Sequence, residues 1–317
     1  MRIRVPAAVA VACGAFALTG AVVPAAQAAD SAGAARPWQL AAPAASSAGM
    51  SAFAASAASA EPSALAVTFS NVKVDSSKAA VSVGTTAIVH VPYSFTLTAT
   101  NVNGLSDDDF YVGLDLYRGS ATSPTADLYD DTTASCSVTS SYSSYEEVIT
   151  TETCKGSVDI YPTYDLDNAD AGGSWHSVAW AVNYNGQNPA DPKDVSKIAV
   201  AEKTGFHSPV VQRLSRLTTN AAPEPVKKGK TLTATGSLTR ANWETHKYAG
   251  YTGQKVRLQF RKKGSTTYTT LKTVTSDSHG NLKTTYKAAA DGYWRYSFVG
   301  TTTTPAISAA GDYVDVK

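Results

Sequence analysis

Alternation of apolar and polar residues is the feature that most restricts the folds open to this chain. Residues 93–98 read YSFTLT, and residues 255–261 read KVRLQFR. Because successive side chains of a β-strand point to opposite faces, the second pattern places Val256, Leu258 and Phe260 inside and its charged residues in water. No long stretch has the helical period. The sequence therefore predicts an all-β protein with antiparallel sheets that each keep one wet face.

Short strands of this kind recur from residue 65 to the C-terminus, separated by turn-forming sequences such as DSHGN. Many short strands between turns are typical of a sandwich. We predict two immunoglobulin-like antiparallel β-sandwich domains, over 63–212 and 213–317. The first is longer than the roughly 100 residues of a minimal sandwich, and its extra length lies around 136–154.

The N-terminus predicts export. Arg2 and Arg4 precede an apolar run at 5–23 and an Ala-Gln-Ala sequence that ends at Ala28. A positive start, an apolar run and small residues before the cleavage point form a signal peptide, predicted over 1–28. An uncleaved anchor is the alternative, which the Ala- and Gly-rich run disfavours. No later run reaches the roughly 18 apolar residues of a membrane span, so we expect no integral membrane segment after cleavage.

The next segment, 29–62, consists almost entirely of Ala, Ser, Gly and Pro. It has few groups to bury and no sustained period, so we predict a disordered tether or pro-segment. The mature protein would then be secreted, and extracellular or loosely associated with the cell wall.

Two cysteines, Cys136 and Cys154, follow the predicted signal peptide. An even count in an oxidising compartment predicts one disulfide, with a stabilisation of roughly 3 kcal/mol. No histidine lies close enough in sequence to favour a metal site. We therefore expect a disulfide-tied hairpin with 143–146 near its tip.

Charge divides the chain in two. Residues 63–212 contain 18 acidic and 7 basic residues, and residues 213–317 contain 6 acidic and 17 basic residues. The whole chain has a net charge of only +1. Either the two domains dock against each other or each attracts its own partner, and the sequence leaves both open.

A sequence resemblance supports the predicted sandwich fold of the second domain. Residues 225–236, 255–264 and 291–296 resemble the opening, middle and sixth strands of bacterial immunoglobulin-like repeats. The stretch 214–317 is thus similar to a module of secreted actinobacterial proteins. The resemblance implies a sandwich fold and a location outside the cell, and it supplies no catalytic residues. A similar turn at 170–172 suggests that the first domain is a diverged relative.

Enzyme signatures do not stand out. The sequence has no HExxH, GxSxG, GxxxxGK[ST] or GxGxxG motif. Ser70 and Lys73 match SxxK, but they fall within a predicted strand rather than at the start of a helix, which favours a chance match. We therefore predict a protein that is not an enzyme and has no cofactor, with calcium as the one exception considered.

The calcium candidate is the acidic turn that contains Asp165, Asp167 and Asp170. Calcium prefers hard oxygen ligands in flexible loops, although the spacing departs from the EF-hand pattern. The run 107–109 would add carboxylates if the two loops met. Asp, Asn and Gly also favour plain turns, and we prefer that interpretation.

A binding candidate is the long connection at 240–251, which carries Trp243, Tyr248 and Tyr251. In an immunoglobulin-like sandwich this loop shares an end with the loop at 300–311. Exposed aromatic rings on loops suit stacking on sugars or anchoring a protein partner. The alternative is that Trp243 packs over a core and the tyrosines fill the space around it.

A second binding candidate is a basic stripe suited to an anionic wall polymer, formed by Lys255, Arg257, Arg261, Lys283 and Lys287. Nucleic acid is not expected as a partner of an exported chain. We predict a secreted, non-enzymatic binding or structural protein that recognises an envelope polysaccharide or an extracellular protein. A calcium-binding extracellular module and a hydrolase inhibitor that presents the disulfide-tied hairpin are the alternatives.

Overall fold

The computed structural model describes residues 62–120, 123–129, 132–189 and 192–317. The predicted signal peptide and nearly all of the predicted disordered segment lie outside these residues. The described chain is almost entirely β-structure, which confirms the predicted all-β class. Single-turn 3₁₀ helices interrupt it at Asp75–Ser77, Asn168–Asp170 and Val195–Lys197. In these ranges no helix has the length and apolarity needed to cross a bilayer.

The N-terminal sandwich contains β1 (Ser63–Ala64), β2 (Val67–Val74), β3 (Ala80–Val83), β4 (Val89–Thr100), β5 (Phe110–Ser120), β6 (Ser123–Leu128), β7 (Ser135–Ser143), β8 (Val148–Ile160), β9 (Trp175–Asn183), β10 (Ala199–Thr204) and β11 (Val210–Arg213). One sheet has the order β2-β4-β8-β7 and the other β1-β10-β9-β5-β6, while β3 and β11 form a parallel pair. In immunoglobulin terms the sheets are A-B-E-D and G-F-C-C′, so the strand order itself is immunoglobulin-like.

The core of the N-terminal sandwich follows the alternation seen in the sequence. Tyr93, Phe95 and Leu97 of β4 are buried, and the residues between them are more exposed. The ring of Phe69 meets that of Phe95 edge-on, with centroids 5.5 Å apart. Such pairs add to the free energy of burial, and the predicted strand over this segment is confirmed.

Strand β9 is buried on both faces. One face joins the core between the sheets, whereas Val178, Trp180 and Val182 lie on the other face in a second apolar cluster. The other members of this cluster are Tyr117, Tyr184, Ile198 and Val200. The outer side of this sheet is therefore partly covered rather than wet.

The predicted disulfide is present. Cys136 of β7 lies directly opposite Cys154 of β8, with the Cα atoms 4.0 Å apart and the sulfurs 1.98 Å apart. The hairpin turns at residues 144–147, where the Ser144 N–H donates to the Glu147 carbonyl over 2.8 Å. The disulfide thus ties β7, the outermost strand of its sheet, to its only partner within that sheet.

The C-terminal sandwich contains β12 (Ser215–Leu217), β13 (Asn220–Ala222), β14 (Thr231–Asn242), β15 (Lys247–Gly250), β16 (Lys255–Lys262), β17 (Thr269–Thr275), β18 (Asn281–Lys287), β19 (Gly292–Phe298), β20 (Ile307–Ser308) and β21 (Asp312–Val314). Strand β14 pairs with β12, β13, β15 and β18, and the facing sheet has the order β17-β16-β19 with β20 and β21 on the far side of β19. These orders match A-B-E and C′-C-F-G of an immunoglobulin-like sandwich.

The core of the C-terminal sandwich also matches the sequence pattern. Val256 and Leu258 are completely buried, and Phe260 is half-buried at the end of β16. The Tyr296 hydroxyl donates to the Ala234 carbonyl over 2.9 Å across the two sheets. Burial raises the pKa of Tyr296 to about 12, so the phenol remains a neutral donor.

Candidate functional site

The loop expected to offer exposed aromatics instead forms the junction between the sandwiches. Trp243 is only 1% exposed and packs with the core of the N-terminal sandwich. Its indole N–H donates to the Gly84 carbonyl over 2.8 Å, and its backbone N–H donates to Asn168 Oδ1 over 3.1 Å. The expectation of an exposed Trp243 is therefore wrong. The alternative of a core-covering indole holds, although the core belongs to the neighbouring sandwich.

Further hydrogen bonds hold the junction. Asn168 Nδ2 donates to Asn242 Oδ1 over 3.0 Å, and Gln212 Nε2 donates to the carbonyls of Thr301 and Thr302 over 3.1 and 3.2 Å. The two predicted loops thus share one end of the C-terminal sandwich, but that end is covered by its neighbour. The sandwiches dock through an indole and polar contacts at this end.

The other two aromatics of the loop are also engaged. The guanidinium carbon of Arg240 lies 3.9 Å from the ring centroid of Tyr251, and that of Arg216 lies 3.6 Å from the ring centroid of Tyr248. Tyr251 is buried, and Tyr248 is half-buried against the N-terminal core. One face of each ring is therefore occupied by an arginine, which leaves little room for a stacked sugar.

A buried arginine also lies at this junction. Arg213 is 7% exposed, and its Nε–H donates to the Ala241 carbonyl. Burial, followed by the neighbouring charge of Arg240, lowers the pKa of Arg213 to about 10. The guanidinium remains charged near neutral pH, where it acts as a hydrogen-bond donor inside the junction.

The carboxylates of the calcium candidate are used within their own turn. Asp165 Oδ2 accepts the Tyr161 N–H over 2.7 Å, and Asp170 Oδ2 accepts the Asp167 N–H over 2.7 Å. Asp170 also forms an ion pair with Arg118 at 3.5 Å. These contacts are those of a capped turn, as the preferred interpretation expects. Calcium binding at this turn stays a prediction.

The acidic run at 107–109 lies far from that turn. It follows the end of β4, whereas the turn follows the end of β8, which runs antiparallel to β4. Among the described residues, the only three potential metal ligands within 4.8 Å of one another belong to Cys136, Glu152 and Cys154, and the two sulfurs are already bonded to each other. The two acidic loops therefore do not combine.

The SxxK pair is not assembled into a site. A cavity of about 340 Å³ is lined by Lys73, Ser76 and Ser77 together with residues of β4. Ser70 does not line it and instead pairs with Thr96 in the sheet, on the other side of a β-bulge. The strand position expected from the sequence thus holds for this motif.

The basic stripe is divided between two faces. Lys255, Arg257 and Arg261 belong to β16, whereas Lys283 and Lys287 belong to β18 in the opposite sheet. The prediction of one continuous stripe is therefore wrong, because residues with the same outward alternation lie on the two outer surfaces of one sandwich.

On the β16 side the structure assembles a surface that the sequence did not reveal. The guanidinium carbon of Arg261 lies 4.0 Å from the ring centroid of Tyr293, and that of Arg295 lies 3.7 Å from the ring centroid of Tyr268. The Tyr293 and Tyr313 rings are 5.2 Å apart. We call this surface the arginine–tyrosine face; it consists of Arg261, Lys263, Tyr268, Tyr293, Arg295 and Tyr313.

Strand register explains this face. Arg261 lies opposite Tyr293 in the β16–β19 pair, and Tyr293 lies opposite Tyr313 in the β19–β21 pair. Their side chains therefore form a row across three strands. Trp294, the residue between the two outward residues Tyr293 and Arg295, points into the core.

Electrostatics make this face suitable for an anion. Arg261 Nη1 donates to the Ser265 carbonyl, and Arg295 Nε donates to Gln259 Oε1 over 2.9 Å. A guanidinium has several further N–H donors in a planar fork that fits carboxylate or phosphate. Stacking on a tyrosine ring fixes the plane of that fork for roughly 0.5–1 kcal/mol at an exposed site.

A lysine extends the same row. The Lys263 ammonium lies 5.6 Å from the ring centroid of Tyr313. The hydrogen bond with Tyr313, together with the charges of Tyr313 and Asp291, raises the pKa of Lys263. The face therefore brings together two stacked arginines and Lys263, which is paired with Asp291 at 3.9 Å. Only Arg261 among these was a predicted site residue.

No protein-family model matches the sequence, and no curated protein matches it. Two solved structures are similar to parts of the chain. One is the full ectodomain (Ig1–Ig3) of mouse nectin-like molecule 4, at 14% identity over 77% of this chain and 63% of that one, with a TM-score of 0.20. The other is the T6 backbone pilin of serotype M6 Streptococcus pyogenes, at 9% identity over 78% of this chain and 51% of that one, with a TM-score of 0.19.

At such TM-scores neither likeness supports an argument about this chain, so the fold assignment rests on strand order. The immunoglobulin-like part of the predicted resemblance is confirmed by that order. Its actinobacterial and secreted parts stay predictions. The chain is a pair of immunoglobulin-like sandwiches joined at Trp243, with an arginine–tyrosine face on the second.

Proposed function

We propose that this chain is an exported, non-enzymatic binding protein whose arginine–tyrosine face holds an anionic polymer of the cell envelope. The observation that carries the proposal is the stacking of Arg261 on Tyr293 and of Arg295 on Tyr268. Export is supported by the predicted signal peptide and by the disulfide, which persists in oxidising compartments.

The arrangement of cations on this face favours a polymeric anion over a small one as the ligand. It lies on the outer surface of a sheet, where Arg261 and Arg295 belong to the neighbouring strands β16 and β19. A polymer with carboxylates or phosphates at regular intervals contacts several such cations at once, whereas a small anion contacts one. The basic residues elsewhere in 213–317 attract the polymer at longer range.

The aromatic rings give this face rigid surfaces beside its charged groups. Tyr268, Tyr293 and Tyr313 are all half-buried, so part of each side chain is accessible beside the guanidinium groups. Rigid aromatic residues beside arginines are typical of recognition surfaces. The junction loop takes no part in this proposal, because Trp243 and Tyr248 pack with the neighbouring core and Tyr251 lies in the core of its own sandwich.

The experiment compares two double variants in a binding assay with a uronic acid polymer and with a neutral glucan. R261Q/R295Q removes both stacked cations, and we expect at least a tenfold loss of affinity for the acidic polymer. K283Q/K287Q is the matched control, because it removes the same charge from the opposite sheet. It should retain affinity within about a factor of two.

Equal losses in both variants would show that net charge alone attracts the polymer, and the face would not be the site. Equal binding of the acidic polymer and the neutral glucan would also contradict the proposal.

A further inference from the structure

The free end of the N-terminal sandwich carries acidic residues. This end lies away from the junction and gathers residues 101–109, 184–189 and 192–198 and the hairpin tip at 144–147. Asn101 Oδ1 accepts the Val148 N–H over 2.7 Å, and Asp109 Oδ2 accepts the Gly186 N–H. Because of these bonds the three segments form one surface.

We call this surface the acidic end; its carboxylates are Asp107, Asp108, Asp109, Glu146, Glu147 and Asp194. Lys193 and Lys197 are the cations of the same loops, so negative charge is in excess. Tyr145, at the hairpin tip, is fully exposed. An exposed ring among carboxylates suits a cationic partner, since a cation contacts both.

The free end of the C-terminal sandwich has the opposite charge. We call it the lysine end; its cations are Lys227, Lys228, Lys230, Lys262, Lys263, Lys287 and Lys317, all of them exposed. Backbone hydrogen bonds hold these segments together. The Lys228 N–H donates to the Lys317 carbonyl over 2.7 Å, and the Lys263 N–H donates to the Asp291 carbonyl over 2.9 Å.

Four acidic residues lie at or beside the lysine end, namely Glu224, Asp291, Asp312 and Asp315, and Glu224 shares a hydrogen bond with Asp312. Lys263 and Lys317 form ion pairs with Asp291 and Asp315 at 3.9 and 3.7 Å. These ion pairs involve only two of the seven lysines. Positive charge is therefore in excess at this end.

The two charged ends lie on opposite sides of the junction. The junction uses Asn168 and Gly172 of the turn before β9 and the loops around Trp243 and Thr303. These segments close the inner ends of both sandwiches. The acidic and lysine ends are the outer ends, so they cannot meet within one chain.

We propose that a second copy of this chain binds its lysine end to the acidic end of the first, which gives head-to-tail assembly. A second copy is the occupant because the chain itself carries both complementary surfaces. The contact is heterologous, and heterologous contacts that do not close a ring continue as open rows. Tyr145 is the aromatic anchor of the contact, and the carboxylates form its rim.

The experiment is sedimentation velocity on the whole chain at about 0.01 M and about 1 M ionic strength, where the Debye length is about 30 Å and about 3 Å. We expect species of at least twice the chain mass at low salt, and single chains at high salt. Wild-type protein that sediments as single chains at low salt throughout a concentration series would overturn the proposal.

Charge reversal identifies the surfaces. D108K/E146K/E147K makes both ends basic, and K227E/K228E/K230E makes both ends acidic. We expect each variant alone to sediment as single chains, and an equal mixture of the two to assemble again, which also shows that both variants fold. Assembly of either variant alone, or failure of the mixture, would place the contact elsewhere. The arginine–tyrosine face is unchanged in both variants, so polymer binding is scored separately.

Discussion

The two sandwiches share the C′-C-F-G strand order of one sheet, but the outer surface of that sheet differs between them. In the N-terminal sandwich, β9 is buried on both faces, and Trp180 and Tyr184 lie in an apolar cluster on the outer side. In the C-terminal sandwich the corresponding strand, β19, buries every second residue, and Tyr293 and Arg295 are on the outer side. The fold thus fixes a surface but not its chemistry, which depends on the residues between the core positions.

The sandwiches also differ in how they are closed. The N-terminal sandwich takes Trp243 from its neighbour into its own core and adds a disulfide. The C-terminal sandwich has a separate core that contains its own tryptophan, Trp294, and no cystine. We therefore infer that the N-terminal sandwich depends on covalent and inter-sandwich contacts, while its neighbour depends mainly on its own core.

The largest effect, and the clearest difference in stability between the two sandwiches, should come from Trp243→Ala. Loss of a buried tryptophan costs about 3–5 kcal/mol, and here most of that loss should fall on the N-terminal sandwich. Hydrogen exchange read by mass spectrometry should show faster exchange in β4 and β8 than in β16 and β19. Trp294→Ala should show the reverse order. Uniform acceleration of both sandwiches by Trp243→Ala would mean that they unfold as one unit.

A somewhat smaller effect is expected from the disulfide. Replacement of Cys136 and Cys154 by Ala should lower the free energy of unfolding of the N-terminal sandwich by about 3 kcal/mol, because a loop closed in the unfolded chain is released. Denaturant titration of the parent protein, with and without reductant, measures the same loss in the free energy of unfolding. The C-terminal sandwich is an internal control, and a matching loss there would contradict the proposed independence.

The smallest effect concerns Glu152, whose carboxylate lies within 4.8 Å of both disulfide sulfurs. Burial raises the pKa of Glu152 above its ordinary value. A carboxyl with a raised folded-state pKa stabilises the fold below its unfolded pKa, and this contribution is lost as the pH rises through the folded value. The N-terminal sandwich should therefore lose some stability as the pH rises from acid towards neutral.

Glu152→Gln should remove this pH dependence and stabilise the sandwich near neutral pH by less than the disulfide does. Thermal unfolding of both proteins across the acid range measures the difference. A parallel pH profile in the variant would assign the dependence to another group.

Several parts of the fold were accessible from the sequence because they depend on local pattern. The alternation at 93–98 and 255–261 predicted two strands that the structure confirms, and the cysteine count predicted the disulfide between Cys136 and Cys154. The hairpin tip was placed within a residue of its position. Each inference needed only neighbouring residues or a pairing with no alternative.

The sites depended on distant residues and were less accessible. The sequence left Trp243 open between an exposed loop aromatic and a core-covering one, since nothing local shows that a neighbouring sandwich covers it. Arg261 and Tyr293 are far apart in sequence, and only the register of β16 and β19 brings them together. Arg295 was not a predicted site residue, because nothing near it in sequence indicates the Tyr268 ring on which it stacks.

The cystine at the edge of the N-terminal sandwich has a mechanical consequence. If an assembled row is pulled from its two ends, force passes along each backbone. The 18-residue separation between Cys136 and Cys154, at about 3.5 Å per residue, withholds about 60 Å of chain from extension. A covalent shortcut of this kind limits how far an unfolded sandwich can lengthen, so a loaded row stretches less than its sequence length would allow.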